Sequence, residues 1–163
     1  GLGGLGTMAI TFASKLGCEV TALSSSDSKK RAALDLGATK FVAHGDEKEV
    51  EAAAASLDFI LVTLATTEPV DFAKFFTLLR PRGTLCFVGM CPPITADVFT
   101  MGFTMHNITT SNTGGRKEML EMLEFCARHR IGANVRTRPM SEINDALREL
   151  HEKNVPCRFV LTN

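Results

Sequence analysis

The sequence opens on Gly1-Leu2-Gly3-Gly4-Leu5-Gly6, glycines at the spacing GxGxxG. In a strand-to-helix turn each of these glycines has its own task. The first makes the turn tight, the second lets the backbone approach a diphosphate, and the third lets the helix pack on its sheet. The helix N-terminus that follows offers free N–H groups and the positive end of its dipole, so the chemistry on offer is anion binding. A flexible linker could carry the same glycines. Here Leu5, Met8, Ala9, Phe12, Ala13 and Leu16 follow at three- and four-residue steps and Gly17 closes the run, which is one apolar face of a helix. That context favours a dinucleotide site.

A second group of residues bears on which dinucleotide. A site for NAD carries Asp or Glu about 20 residues further on, accepting from the ribose hydroxyls. This chain has Ser24, Ser25 and Ser26 there, followed by Lys29, Lys30 and Arg31. Hydroxyls and cations suit a 2′-phosphate, and a carboxylate would repel it. The same serines also suit the cap of the next helix, and one role does not exclude the other. Asp27 is a contrary charge. The reading favours NADP(H) over NAD(H).

Other reactive side chains form no pattern. His44, His106, His129 and His151 fall on separate segments, and the five cysteines Cys18, Cys86, Cys91, Cys126 and Cys157 include no CxxC pair and no metal-ligand spacing. No catalytic residue and no metal ligand is assigned. Scattered thiols in odd number fit a reduced, cytoplasmic setting. Eighteen basic and eighteen acidic residues leave a formal net charge of zero, which disfavours nucleic acid and anionic membranes as partners. No apolar run reaches the roughly 20 residues that cross a bilayer.

The elements that must position these residues alternate. Strands are expected at 19–23, 38–44, 57–65 and 84–90, with helices at 5–16, 29–37, 46–55 and 69–79 between them. The run 57–65 is almost wholly apolar, as for a strand covered on both faces. Segment 91–102 is expected to be irregular, 106–111 a strand and 116–130 an amphipathic helix. The tail reads strand 134–138, helix 141–152 and strand 157–162. Regular β–α repetition implies a doubly wound parallel sheet of the Rossmann type. A glycine turn needs a strand before it, so a first strand, central in the sheet, is expected to be missing from residues 1–163.

Several segments in the same order resemble the nucleotide-binding domain of zinc-dependent medium-chain alcohol dehydrogenases, and within them the cinnamyl-alcohol dehydrogenase-like branch. They are GLGGLGTMAITFASKLGCEVTALSSS, LDFILVT, LLRPRGTLCFVGM, GGRKEMLEMLEFC and INDALRELHEKNVPCRFVL. The resemblance implies that Gly3, Gly4 and Leu5 hold the pyrophosphate and that Ser24, Ser25, Ser26 and Lys29 hold the 2′-phosphate. It implies that Thr63, Gly89, Met90, Ser111, Asn112 and Thr113 line the nicotinamide. Asn112 and Thr113 stand where the branch often has apolar residues, and Cys157 where it has an aromatic one.

By the same resemblance, residues 1–133 would form an incomplete NADP-binding domain and 134–163 a return segment of the catalytic domain. Zinc would belong to an N-terminal domain outside this chain. The parent would be a homodimer, pairing the outer strand 106–111 with its mate, and would act on a primary alcohol or aldehyde, with residues 1–163 inactive alone. A non-catalytic NADP-binding or regulatory module, or a domain for another nucleotide such as a methyl donor, is the alternative.

Overall fold

The computed structural model describes residues 1–153, 155 and 157–163; Asn154 and Pro156, in the expected return segment, lie outside the described residues. Helix α1 (Gly4–Lys15) leads to strand β1 (Thr21–Ser24), then α2 (Lys30–Asp35), β2 (Lys40–Ala43), α3 (Glu47–Ala52), β3 (Leu57–Val62), α4 (Ala73–Leu78), β4 (Leu79–Phe87), α5 (Val98–Thr104), β5 (Asn107–Thr110) and α6 (Arg116–His129). The chain closes with β6 (Val135–Pro139), α7 (Ile143–Lys153) and β7 (Arg158–Thr162). Every strand pair is parallel, as expected of strands joined by helical crossovers.

Local chemistry sets the boundaries. Helices α1 and α2 are followed by left-handed glycines, Gly17 (φ 85°) and Gly37 (φ 107°). Asp46 caps α3 by accepting from the Lys48 N–H at 2.9 Å, and Glu47 and Glu49 sit in its first turn, where the dipole favours them. Helix α4 is shorter than expected. It starts at Ala73, not at Pro69, because the Asp71 carboxylate accepts from the Ala73 N–H at 3.0 Å and defines the first turn there. The segment 91–102, expected to be irregular, contains most of α5. Asp97 caps that helix by accepting from the Phe99 N–H at 3.0 Å and from the Thr100 hydroxyl.

The main core lies between β3, β4 and α4, with Leu78 and Leu85 fully buried and Phe72 set edge-on to Phe87 at 5.1 Å. A second cluster holds α1 on β1 through Leu2, Ile10, Ala22 and Ala33.

The parallel strands do not form one continuous sheet. β1 pairs with β2, and β3, β4 and β5 form a separate group with β4 in the middle. The free edges of β1 and β3 border a cavity of about 450 Å³, lined also by Leu2, Gly6 and Ile10. This changes the expectation for β3. Ile60 and Val62 are buried, but Phe59 and Leu61 are 53% and 39% exposed, so one face of the apolar run is open beside the cavity. Strands β6 and β7 make a third small sheet under α7, tied by Arg136 and Arg138 to Glu149.

Candidate functional site: a glycine turn facing a cation cluster

The carboxyl ends of β1, β3, β4 and β5 share one end of the fold, and the glycine turn lies there. Its anchor is a hydrogen bond from the Thr63 hydroxyl, just past β3, to the Gly1 carbonyl at 2.7 Å. Gly6 is buried in the same contact. A Cβ at that position would collide with the Gly1 carbonyl oxygen and lie 3.1 Å from the Thr63 hydroxyl. Only glycine lets α1 start so close to the turn.

The start of α1 is electropositive. Gly3 caps it without a side-chain hydrogen bond, and its first turn contains no acid. Arg158, at the start of β7, stacks over the same place; its Nε lies 2.5 Å from where a Cβ on Gly4 would be. A guanidinium beside the positive end of a helix dipole is unfavourable alone. No carboxylate pairs with Arg158 among the described residues. A bound anion would reverse that balance, so the arrangement suits a diphosphate. Sequence reading missed Arg158, which lies more than 150 residues from the glycines. Its presence in the CRFVL segment was the available signal.

The serine turn continues the electropositive end. Ser24 is buried at the end of β1, whereas Ser25 and Ser26 are exposed. Ser26 shares a hydrogen bond of 3.0 Å with Ser28. Lys29 is half-buried, and burial lowers its pKa. Ser25 and Ser26 also border a depression with Asp27, Asp46 and Glu47, whose carboxylates would repel phosphate. The side facing Gly1 and Lys29 is the one open to an anion.

The remaining expected residues fall at the same end. Thr63 follows β3, Gly89 and Met90 follow β4, and Ser111, Asn112 and Thr113 follow β5. The Thr66 N–H donates to the Met90 carbonyl at 3.0 Å, and the Ser111 N–H to that of Phe87 at 2.9 Å. Met90 is 84% exposed. Asn112 accepts from the Thr113 N–H through its own side chain at 2.8 Å. Thr63 spends its hydroxyl on the glycine turn, a role the sequence did not announce.

A parallel α/β sheet with a glycine turn and an unneutralised helix N-terminus at the carboxyl ends of its strands defines a Rossmann-type nucleotide-binding domain. The family described as zinc-binding dehydrogenase matches residues 4–128, and the chain belongs to that family. It is 38% identical over 163 residues to a protein described as probable mannitol dehydrogenase 1 of Stylosanthes humilis, covering 99% of this chain and 46% of that protein. A cinnamyl alcohol dehydrogenase structure from Sorghum bicolor superposes with a TM-score of 0.92 at 32% identity, over 99% of this chain and 46% of that one. A Helicobacter pylori structure described as CAD complexed with NADP(H) gives 0.82 at 28% identity, over 99% and 45%. The chain thus spans about half the length of the relatives it matches.

The family's description implies zinc, and the residues present do not fit it. Among the described residues no three His, Cys, Asp or Glu side chains gather as a metal centre requires. No described helix is long and apolar enough to cross a membrane.

Proposed function

We propose that residues 1–163 are the NADP(H)-binding portion of an alcohol dehydrogenase. The observation that carries this is the convergence at one end of the strands of a glycine turn closed on Thr63, an Arg158 over Gly4 that has no ion pair among the described residues, and a Ser24–Lys29 turn that puts a serine, not a carboxylate, at the end of β1. Gly3, Gly4 and Leu5 would hold the diphosphate with Arg158. Ser24, Ser25, Ser26 and Lys29 would hold the 2′-phosphate, and Thr63, Gly89, Met90 and Ser111–Thr113 would line the nicotinamide. The bound cofactor supplies the hydride exchanged with a primary alcohol or aldehyde. This chain's residues bind and orient it. Residues 1–133 serve as the cofactor domain and 134–163 as the return into the catalytic domain, with zinc ligands outside the chain and the whole enzyme in the cytoplasm. The names of the relatives make polyols and aryl alcohols the first substrates to assay.

Calorimetric titration of the full-length protein tests the cofactor reading. NADPH is expected to bind at least tenfold more tightly than NADH. Ser25→Asp should move the preference about a hundredfold toward NADH, because like charges placed together cost several kcal/mol. Ser25 is the better position than Ser24, whose burial would force a carboxylate into the end of β1. Equal or tighter NADH binding by the unsubstituted protein would sink the proposal.

We also propose that the enzyme is a homodimer. β5 ends its sheet with all four residues exposed, and Phe99 and Phe103 of α5 stand 76% and 74% exposed. An unprotected edge beside apolar rings is a pairing surface, and a two-fold axis closes it. Light scattering at micromolar concentration should return twice the chain mass. A monomer mass would count against it.

A further inference from the structure

Arg158 owes its place over Gly4 to a two-stranded sheet, and a sheet of two strands is marginal by itself. Arg158 opens β7 opposite Val135, the first residue of β6, and its backbone N–H donates to the Asn134 carbonyl at 2.8 Å. Along β7 the faces alternate. Arg158, Val160 and Thr162 are exposed on one side, and Phe159 and Leu161 are half-buried on the other. A slip of one residue would carry Arg158 to the covered face and away from Gly4.

The groups that pin the strands lie on the covered face. Arg136 and Arg138 stand two residues apart on β6, so both guanidiniums project to one side. Glu149 of α7 accepts from both, one on each carboxylate oxygen. Arg136 Nη1 donates to Oε1 at 2.9 Å, and Arg138 Nη2 donates to Oε2 at 2.5 Å. Glu142, just before α7, accepts from Arg138 Nη1 at 3.3 Å. The Arg138 guanidinium also lies 5.1 Å from the centre of the Phe159 ring, the neighbour of Arg158 in β7. Exposed ion pairs contribute little, but the Glu149 side chain is only 15% exposed and that of Arg138 27%. Without the Glu149 carboxylate, two guanidiniums on one strand face would repel each other.

We propose that Glu149 is a positioning residue for the cofactor diphosphate. By clamping Arg136 and Arg138 it locks β6 to α7. Arg138 passes that lock to β7 through Phe159, and Arg158 is thereby held against the start of α1. The inference rests on the NADP(H) reading and adds to it a residue that does not touch the cofactor. The clamp and Arg158 lie on opposite faces of the same two strands, so Glu149 acts on the cofactor only through where it puts Arg158. The effect of Glu149 must then vanish when Arg158 is gone, which a double-mutant cycle measures.

NADPH titrated into the full-length protein and its variants makes the test. Arg158→Gln should weaken NADPH about thirtyfold. Glu149→Gln keeps the volume and removes the charge; it should weaken NADPH about tenfold in the parent and less than twofold beside Arg158→Gln. A residue that merely stabilised the fold would cost the same factor in both backgrounds. Circular dichroism and thermal unfolding report whether each variant is folded. If Glu149→Gln does not fold, Arg136→Gln takes its place in the cycle and should cost about threefold, again only where Arg158 is present. Equal losses with and without Arg158 overturn the inference and leave the NADP(H) reading standing. So does an Arg158→Gln or Glu149→Gln protein that binds NADPH as tightly as the parent. If the unsubstituted protein does not bind NADPH, both fall.

Discussion

Extended before Gly1 by a six-residue apolar strand, the chain is expected to unfold in one sharp transition at a Tm roughly 10–20 °C above that of residues 1–163 alone, whose transition should be broad. The two free edges that face each other across the 450 Å³ cavity carry this expectation. β1 and β3 run parallel to their partners, and the cavity reaches Gly1, whose carbonyl is fixed to Thr63 at the carboxyl end of β3. A strand in the cavity that ended at Gly1 would therefore run parallel to both neighbours. Helix α1 would then be the crossover into β1, in the right-handed sense that β–α–β units adopt. Its backbone would satisfy N–H and C=O groups on both flanking strands, each costing about 1–3 kcal/mol when buried without a partner. Its side chains would cover Phe59 and Leu61. A domain has only about 5–15 kcal/mol in total, so a few such groups decide whether it stays folded. Differential scanning calorimetry on the two chains makes the comparison. Identical, equally cooperative transitions would remove the argument.

Gly6→Val in the extended chain is expected to abolish cofactor binding, lowering NADPH affinity by at least about a hundredfold while most of the helical signal remains. The new Cβ would occupy the place of the Gly1 carbonyl oxygen, and its methyl groups would press on Thr63. Neither neighbour is the free end of a flexible side chain. The turn must open, and the Thr63–Gly1 hydrogen bond must break with it. Circular dichroism separates loss of fold from loss of the turn, and fluorescence titration with NADPH reads the site. Affinity within threefold of the parent would show that the turn does not touch the cofactor.

Alternation of apolar runs with amphipathic ones was enough to place α1, β2, α6 and β7 within a few residues, because their periodicities are long or cleanly bounded by glycine. The glycine turn was legible for the same reason that it works: its geometry tolerates few other residues. Short elements escaped. Asp97 caps a helix of seven residues and Asp71 accepts from the first N–H of one of six, both near prolines, where local hydrogen bonds and not periodicity set the boundary. The exposure of Phe59 and Leu61 could not be read from 57–65, since an apolar run looks the same whether or not something covers it. Arg158 was passed over because its importance lies in what it approaches. Gly4 comes near it only after the chain has folded.

The contact between Arg158 and Gly4 also fixes an order of events during folding. Residues 1–30 contain the glycine turn, the serine turn and Lys29. The cation that joins them, Arg158, stands on a strand that must first pair with β6. Contacts of such long sequence separation form late. A chain in which β6 and β7 have not yet paired therefore grips an anion weakly, however complete its first half looks. An anion at the glycine turn would become a strongly stabilising ligand only after that pairing, too late to guide the folding of the strands that hold it.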